Sequence, residues 1–154
     1  MALRVAVGVD HGGFPLKGVL VEVLREAGAE VLDFGTDSEE SCDYPDLALP
    51  VARTVAEGKA DLGLLVCGTG IGMCVTANKV RGVRAALCHD TFSARMAREH
   101  NDANVLAMGA RVVGPGLATD ILRAFLSASF GGGRHSRRVD KIRDWEEQVF
   151  GGTG

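Results

Sequence analysis

Short apolar runs alternate with segments of helical periodicity along the 154-residue chain. The runs are rich in Val, Leu and Ala, are short enough for strands, and end at glycine, proline or charged residues. They predict strands at 5–9, 31–34, 62–66, 85–87 and 105–108. Continuous apolar strands separated by helices are typical of a parallel sheet covered on both faces, so the pattern predicts the α/β class.

The segments between the strands carry apolar residues at intervals of three and four, which predicts helices. The helices are expected at 14–27, 46–57, 71–78, 91–99, 117–128 and about 139–149. No repeat or linker interrupts this alternation. We therefore expect residues 1–150 to form one domain and residues 151–154 to be a frayed tail.

Charge and composition exclude several function classes. The formal net charge is −3, and a nucleic-acid-binding protein needs a broad basic surface. No apolar run approaches the about 20 residues of a membrane span, and the first residues do not have the form of a signal peptide. The four cysteines match no zinc or C-x-x-C spacing, which favours reduced thiols in the cytoplasm. The sequence shows no metal-ligand cluster and no nicotinamide-binding fingerprint, so we expect neither metal nor cofactor.

Ligands of open parallel sheets bind beyond the carboxyl ends of the strands. This rule predicts ligand contacts at Asp10 and His11, from Cys67 to Gly72, at His89 and Asp90, and from Gly109 to Arg111.

The segment CGTGIG, residues 67–72, follows a buried strand and opens a helix. Its glycines free backbone N–H groups to hold a negative oxygen, and the same field favours a thiolate at Cys67. Such a thiolate can take a proton from carbon while the resulting oxyanion is held. Two other interpretations stay open: the turn serves only tight packing or a phosphate, and Cys67 is an inert buried thiol. Cys42, Cys74 and Cys88 are interpreted as structural.

Other polar residues also have two interpretations. Asp10 either binds a polar ligand or caps the following helix. His100 lies in a predicted loop, where it either exchanges protons or simply ends a helix. For Asn101 and Asn104, one interpretation is that they only shape the turn. Arg134 and Arg138 are four residues apart, so one helix face could present both to a phosphate; alternatively, they belong to a solvated helix start.

Six segments, ordered along nearly the whole chain, together resemble the ribose-5-phosphate isomerase B family, which also includes galactose-6-phosphate and allose-6-phosphate isomerases. The segments are DHGGFPLK (10–17), DYPDLA (43–48), CGTGIG (67–72), ANKVRGVRAA (77–86), HNDANVLAMGARVVG (100–114) and GGRHSRRV (132–139). The resemblance implies a Rossmann-like three-layer α/β/α sandwich with a five-stranded parallel sheet. It also implies a homodimer or homotetramer whose active site lies at the subunit interface, and metal-independent isomerisation through a cis-enediolate.

The resemblance implies a catalytic role for four residues. Cys67 is the base that moves a proton between C1 and C2, and Thr69 assists proton transfer at the substrate oxygens. His100 helps to open the sugar ring, with Asp10 nearby. One branch of the family uses a glutamate instead of the cysteine, but the aligned residue here is Met73, which leaves Cys67 as the only candidate base.

Further residues are implied to bind the substrate. The amides of Gly68, Gly70, Ile71 and Gly72, and of the chain to about residue 74, hold the enediolate. The other implied contacts are Asn101 and Asp10 with sugar hydroxyls, His11, Arg111, Arg134 and Arg138 with the phosphate, and Tyr44 as a pocket wall. Arg137 can substitute for its neighbour Arg138.

The expected reaction is the isomerisation of D-ribose 5-phosphate to D-ribulose 5-phosphate. One alternative keeps the chemistry and changes the sugar to a six-carbon phosphate, such as allose or galactose 6-phosphate, or to a four-carbon one. The other is a non-catalytic module that binds a phosphosugar or nucleotide. The joint presence of Cys67, Thr69 and His100 opposes this last interpretation.

Overall fold

The computed structural model describes residues 1–151 and confirms the five-stranded parallel sheet. The strands are β1 (Arg4–Val9), β2 (Glu30–Asp33), β3 (Leu62–Cys67), β4 (Ala85–Leu87) and β5 (Val105–Gly109). They lie in the order β2-β1-β3-β5-β4, and every neighbouring pair is parallel. β1 and β5 therefore flank β3, which ends at Cys67.

The described residues also form the six expected helices, with shifted ends. They are α1 (Phe14–Glu26), α2 (Tyr44–Ala56), α3 (Ile71–Ala77), α4 (Thr91–Asn101), α5 (Pro115–Ser127) and α6 (Arg134–Phe150). α2 and α5 begin two residues earlier than expected, because a proline fits the first helical turn, where its missing N–H costs nothing. α6 begins five residues earlier than expected. Its first turn is polar, so no apolar periodicity marks that turn as helical in the sequence.

Alternation of side chains along the strands divides the core into two layers. One layer packs the sheet against α1, α4 and α5 around Leu24 and Phe125. The other packs it against α2 and α3 around Val51 and Met73, and the Cys67 side chain belongs to this second layer. Burying each large apolar side chain contributes about 1.5–3 kcal/mol. Helices on both faces confirm the α/β/α sandwich.

The turn between β1 and α1 lies directly on β3. The side chain of Asp10 accepts the N–H of Gly13 at 2.9 Å, and a Cβ atom at Gly13 would lie 2.1 Å from the carbonyl oxygen of Val66. Only glycine permits this approach. It brings the end of β1 beside the end of β3, which places Asp10 and His11 next to Cys67.

No helix within residues 1–151 is long and apolar enough to cross a bilayer. Gly151 ends α6 by donating its N–H to the carbonyl of Glu147 at 2.9 Å. The other three residues of the expected frayed tail lie outside the described residues. The assignment of residues 1–150 to one domain stays a prediction.

Replacing Gly13 with alanine should destabilise the fold by about 3 kcal/mol, because the added methyl group collides with backbone that cannot move away. Gly18 is the matched control. It lies on the exposed side of α1, and nothing lies within 4 Å of the position its Cβ would take. Gly18→Ala should stabilise the protein by about 0.5–1 kcal/mol through helix propensity. Urea unfolding would measure both free energies, and equal effects of the two variants would contradict the close approach.

Candidate active site

The adjacent carboxyl ends of β1, β3 and β5 border an open cleft of about 490 Å³. The cleft is lined by Asp10, His11, Gly12, Tyr44, Cys67, Gly68, Thr69, Ile71, Gly72 and Arg111. Except for Gly12, all of these are residues to which the sequence assigned a catalytic or binding role. The structure thus brings together residues that are up to 101 positions apart in the sequence, from Asp10 to Arg111.

Cys67 is the last residue of β3, with only 5% of its surface exposed. Its sulfur accepts the backbone N–H of Gly70 at 3.1 Å. Cys67 packs against the core and also borders the cleft, so it is both buried and adjacent to the space where a ligand would lie. An N–H aimed at sulfur stabilises negative charge on that sulfur.

Gly70 makes this contact possible. Its φ of 79° is left-handed, and a Cβ atom there would lie 2.7 Å from the carbonyl carbon of Met108. The turn can therefore close over the sulfur only with glycine at this position. Gly70 does not line the cleft, and its N–H donates to the sulfur of Cys67, so its contact with the enediolate stays a prediction.

The other backbone N–H groups of the loop differ in whether they already donate a hydrogen bond within the protein. The N–H of Ile71 donates to the hydroxyl of Thr69 at 3.3 Å, and that of Cys74 donates to the carbonyl of Gly70 at 3.0 Å. Within the described residues, the N–H groups of Gly68 and Thr69 have no such acceptor. These two amides border the cleft and can donate to a ligand oxygen.

The segment after β5 fixes this loop from one side. Ala110 donates its N–H to the carbonyl of Cys67 at 2.9 Å, and Arg111 donates its own to Gly68 at 3.0 Å. The N–H of Gly109 in turn donates to Nε2 of His89 at 3.0 Å. His89 was expected to contact a ligand, but it does not line the cleft. It supports the segment that holds the Cys67 loop. Asp90 also lies outside the cleft, where it caps α4.

Asp10 has a structural contact and also lies at the cleft, while its predicted contact with a ligand stays a prediction. Its carboxylate accepts the N–H of Gly13 and closes the turn before α1, and the residue also borders the cleft. Only 5% of the surface of Asp10 is exposed. A carboxylate fixed in this way can accept a hydrogen bond from a sugar hydroxyl without having to be ordered first.

The orientation of His11 is set by a residue that the sequence did not suggest. Nδ1 of His11 accepts the backbone N–H of Cys42 at 3.2 Å. Because that nitrogen is an acceptor, the neutral ring carries its proton on Nε2. His11 therefore offers an N–H donor to a ligand in the cleft. The sequence could not show this contact, because Cys42 makes it with its backbone N–H and the residue type therefore gives no indication of it.

Two other lining residues complete the walls. The guanidinium of Arg111 lies over Gly68, with Nη1 3.1 Å from the position a Cβ there would take, and it forms no ion pair within the described residues. The ring of Tyr44 lies on Gly72, where a Cβ would come within 2.6 Å of Cε1. Arg111 is thus an exposed cation available to an anionic ligand.

Two other thiols, those of Cys74 and Cys88, lie outside the first cleft. Burial, together with the charge of Asp90, raises the pKa of Cys88 to about 11. Burial also raises the pKa of Cys74, whose sulfur donates to the carbonyl of Ala85 at 3.5 Å. Both stay protonated at neutral pH, as expected of structural cysteines.

The remaining predicted residues lie elsewhere on the same chain. His100 and Arg134 line a second cleft of about 460 Å³, which shares no lining residue with the first. Asn101 borders a third cleft, beside α6. His100 and Asn101 are the last two residues of α4, which corrects the expectation that they occupy a loop. Arg134 and Arg138 both lie on α6, one turn apart.

His135 is a further residue of the second cleft. Its ring stacks on that of His100, with centroids 4.1 Å apart and an interplanar angle of 14°. Burial lowers the pKa of His135, and the charges of His100, Arg134 and Arg138 lower it further. The sequence placed His135 within a basic stretch but could not show that it touches His100.

Comparison with known proteins gives these clefts a chemical context. The family model for ribose/galactose isomerases matches residues 5–142. Ribose-5-phosphate isomerase B of Escherichia coli is 50% identical over 145 residues, which are 94% of this chain and 97% of that protein. D-erythrulose-4-phosphate isomerase of Pectobacterium atrosepticum is 47% identical over 147 residues, 95% of this chain and 97% of that protein.

A solved structure agrees with these relatives. Ribose-5-phosphate isomerase B of Clostridium thermocellum superposes with a TM-score of 0.93 at 51% identity. The superposition covers 96% of this chain and 99% of that one. Sequence and fold therefore match over nearly the full length of both proteins.

Proposed function

Because this chain belongs to the ribose/galactose isomerase family, we propose that it interconverts D-ribose 5-phosphate and D-ribulose 5-phosphate. The chain is an aldose–ketose isomerase acting on a sugar phosphate, so the alternative of a non-catalytic binding module is dropped. The substrate, the base and the assembly are the parts that we propose.

One observation carries the proposal: the first cleft contains a sulfur with an N–H aimed at it, two free amides and an unpaired arginine. An isomerase of this kind needs a base for a C–H, donors for an oxyanion and an anchor for the phosphate. Cys67, the amides of Gly68 and Thr69, and Arg111 with His11 meet these three needs.

The steps follow from this arrangement. The thiolate of Cys67 takes the proton from C2 of the open-chain aldose, and the electrons of that C–H bond form the C1–C2 double bond. The C1 carbonyl oxygen becomes the oxyanion of a cis-enediolate, which the amides of Gly68 and Thr69 stabilise. A proton moves from O2 to O1 with the help of the Thr69 hydroxyl. Cys67 then returns its proton to C1, which leaves the carbonyl at C2.

We propose that a second copy of the chain completes this site. The ring-opening residue His100 and the phosphate arginine Arg134 line a cleft that does not contain Cys67. The chain also exposes apolar side chains at helical spacing, the pattern of a surface that packs against another helix. They are Ile71 and Val75 on α3, and Ile142, Trp145 and Val149 on α6. A homodimer is the smallest assembly that supplies the missing groups, and two dimers can form a tetramer.

The four cysteines are all free, which supports the cytoplasm as the compartment. No group of three or more potential metal ligands forms among the described residues. The proposed steps assign the proton transfers to the side chains of Cys67 and Thr69.

A four-carbon substrate is the second candidate, since the Pectobacterium relative bears that activity in its name. A four-carbon sugar phosphorylated at O4 has no free hydroxyl that could close a five-membered ring. It therefore needs no ring opening. The presence of His100 favours ribose 5-phosphate, which reaches the enzyme mainly as a furanose.

Replacing Cys67 with alanine should lower kcat for ribose 5-phosphate by about 10³–10⁴-fold, because the base is lost. The Kd of the variant for ribose 5-phosphate, measured by calorimetry, should remain within a few-fold of the wild-type KM. Cys88→Ala is the matched control, since that buried thiol lies outside the cleft, and it should keep wild-type turnover. The wild-type protein should exchange substrate hydrogen with solvent deuterium. Normal turnover by Cys67→Ala would show that another group is the base.

Mixing two inactive variants tests the shared site. A dimer of one Cys67→Ala chain and one His100→Ala chain has one intact site and one doubly defective site. Random mixing makes about half of the dimers mixed, so activity should recover to about a quarter of the wild-type value. Recovery should be absent when either variant is mixed with itself. If the two variants show no recovery after verified subunit exchange, the site lies within one chain.

A substrate comparison identifies the sugar. His100→Ala should lower kcat/KM for ribose 5-phosphate about 10²-fold more than for erythrose 4-phosphate, because only the former needs ring opening. The wild-type kcat/KM should be highest for ribose 5-phosphate in a panel that includes allose, galactose and erythrose phosphates. Equal losses on both sugars would contradict the ring-opening role, and equal wild-type rates would contradict the substrate.

A further inference from the structure

Asp102 follows His100 and Asn101 directly and ends α4 in a left-handed conformation, with φ 48° and ψ 42°. It is the only residue other than glycine with positive φ in the described chain. Aspartate tolerates this conformation better than most residues, and here its N–H donates to the carbonyl of Ala97. The chain direction after His100 therefore depends on Asp102.

Three arginines from different parts of the fold surround the Asp102 carboxylate. Arg84, just before β4, lies 3.3 Å from Oδ2, and Arg98 of α4 lies 3.6 Å from Oδ1. Arg143 of α6 donates to Oδ2 at 3.2 Å. A single half-buried carboxylate thus joins the end of α4 to α6.

The backbone of the same turn is held by one of these arginines. Nε of Arg84 donates to the carbonyl of Asn101 at 3.2 Å and to that of Asp102 at 3.0 Å. Burial lowers the pKa of Arg84, and the Asp102 charge opposes this effect. Without Asp102, the three arginines would lose the one carboxylate that they share. Asp140 would still pair with Arg143, but repulsion among the arginines would weaken the contact between α4 and α6.

α6 has few other attachments to the body of the protein. Val139 is its only buried residue in the described chain. Its polar contacts besides Arg143 are the Arg81–Glu147 ion pair and the N–H of Gly82 donating to Glu146. The Arg143–Asp102 contact, together with the stacking of His135 on His100, therefore determines where α6 places Arg134 and Arg138 relative to His100.

We propose that Asp102 is a positioning residue that holds the ring-opening group on α4 in register with the phosphate-binding arginines on α6. This inference rests on the proposed function. A sugar phosphate has a fixed distance between its phosphate and its ring oxygen, so both groups must be placed together to act on one molecule. Asp102 does this by bonding to both helices without touching the substrate.

Asp102→Asn tests the inference, because asparagine keeps the left-handed turn and removes the charge. The variant should raise KM for ribose 5-phosphate about tenfold and lower kcat about tenfold. The inhibition constant of inorganic phosphate, which reports on phosphate binding without the sugar ring, should rise by a similar factor. Asp140→Asn is the matched control: Asp140 is the exposed partner of Arg143 within α6, at 3.3 Å. It should change none of these constants more than twofold.

Arg143→Gln gives a second, independent variant at an exposed helix position. It should change KM and the phosphate inhibition constant in the same direction. The double variant should be no worse than Asp102→Asn alone, because both changes remove one contact. Additive losses would overturn the inference.

Other outcomes also decide the question. If Asp102→Asn lowers the melting temperature and the active fraction while KM and phosphate inhibition stay unchanged, Asp102 is merely structural and the inference fails. Wild-type constants for this variant would overturn it as well. In both cases the proposed function stands. If the wild-type protein isomerises no sugar phosphate, the proposed function fails, and this inference fails with it.

Discussion

The hydrogen bond from the N–H of Gly70 to the sulfur of Cys67 is the interaction on which the proposed chemistry depends. It exists because β3 ends at Cys67 and the next turn is left-handed at a position where any side chain would strike β5. The sulfur is thereby kept at the edge of the core, fixed by the backbone on one side and open to the cleft on the other. A base that is held in this way needs no rearrangement before it reacts.

The order of the strands in the sheet determines which other residues lie beside Cys67 in the cleft. β1 and β5 flank β3, so the residues after them, His11 and Arg111, reach the same cleft. The N–H groups of Ala110 and Arg111 bind the Cys67 loop directly, and His89 braces the strand end from which they come. The proposed base, oxyanion donors and phosphate anchor are thus parts of one hydrogen-bonded arrangement, and none of them is held by its own element alone.

The sequence could predict what depends on local periodicity and on the rule that ligands bind at carboxyl strand ends. The apolar runs predicted every strand, and the rule placed Cys67, His11 and Arg111 at one edge of the sheet. The sequence could not show that His89 accepts an N–H from Gly109 or that Cys42 orients His11, because backbone contacts leave no trace in residue type. It also started α6 too late, since a helix whose first turn is charged has no apolar pattern there. The division of the predicted residues between two clefts is likewise a tertiary property.

That division links assembly to catalysis. The chain exposes Ile71 on α3 and Trp145 on α6, and burying such side chains against a second copy would release free energy for association. The same association would bring His100 and Arg134 of one copy to the cleft of the other. The proposal therefore requires accurate placement of α6 for two reasons: it carries part of the proposed contact surface, and it carries the arginines proposed to hold the phosphate. Within one chain, a helix with one buried residue is not placed by apolar packing alone, so its position on that chain depends on polar contacts such as Arg143 with Asp102.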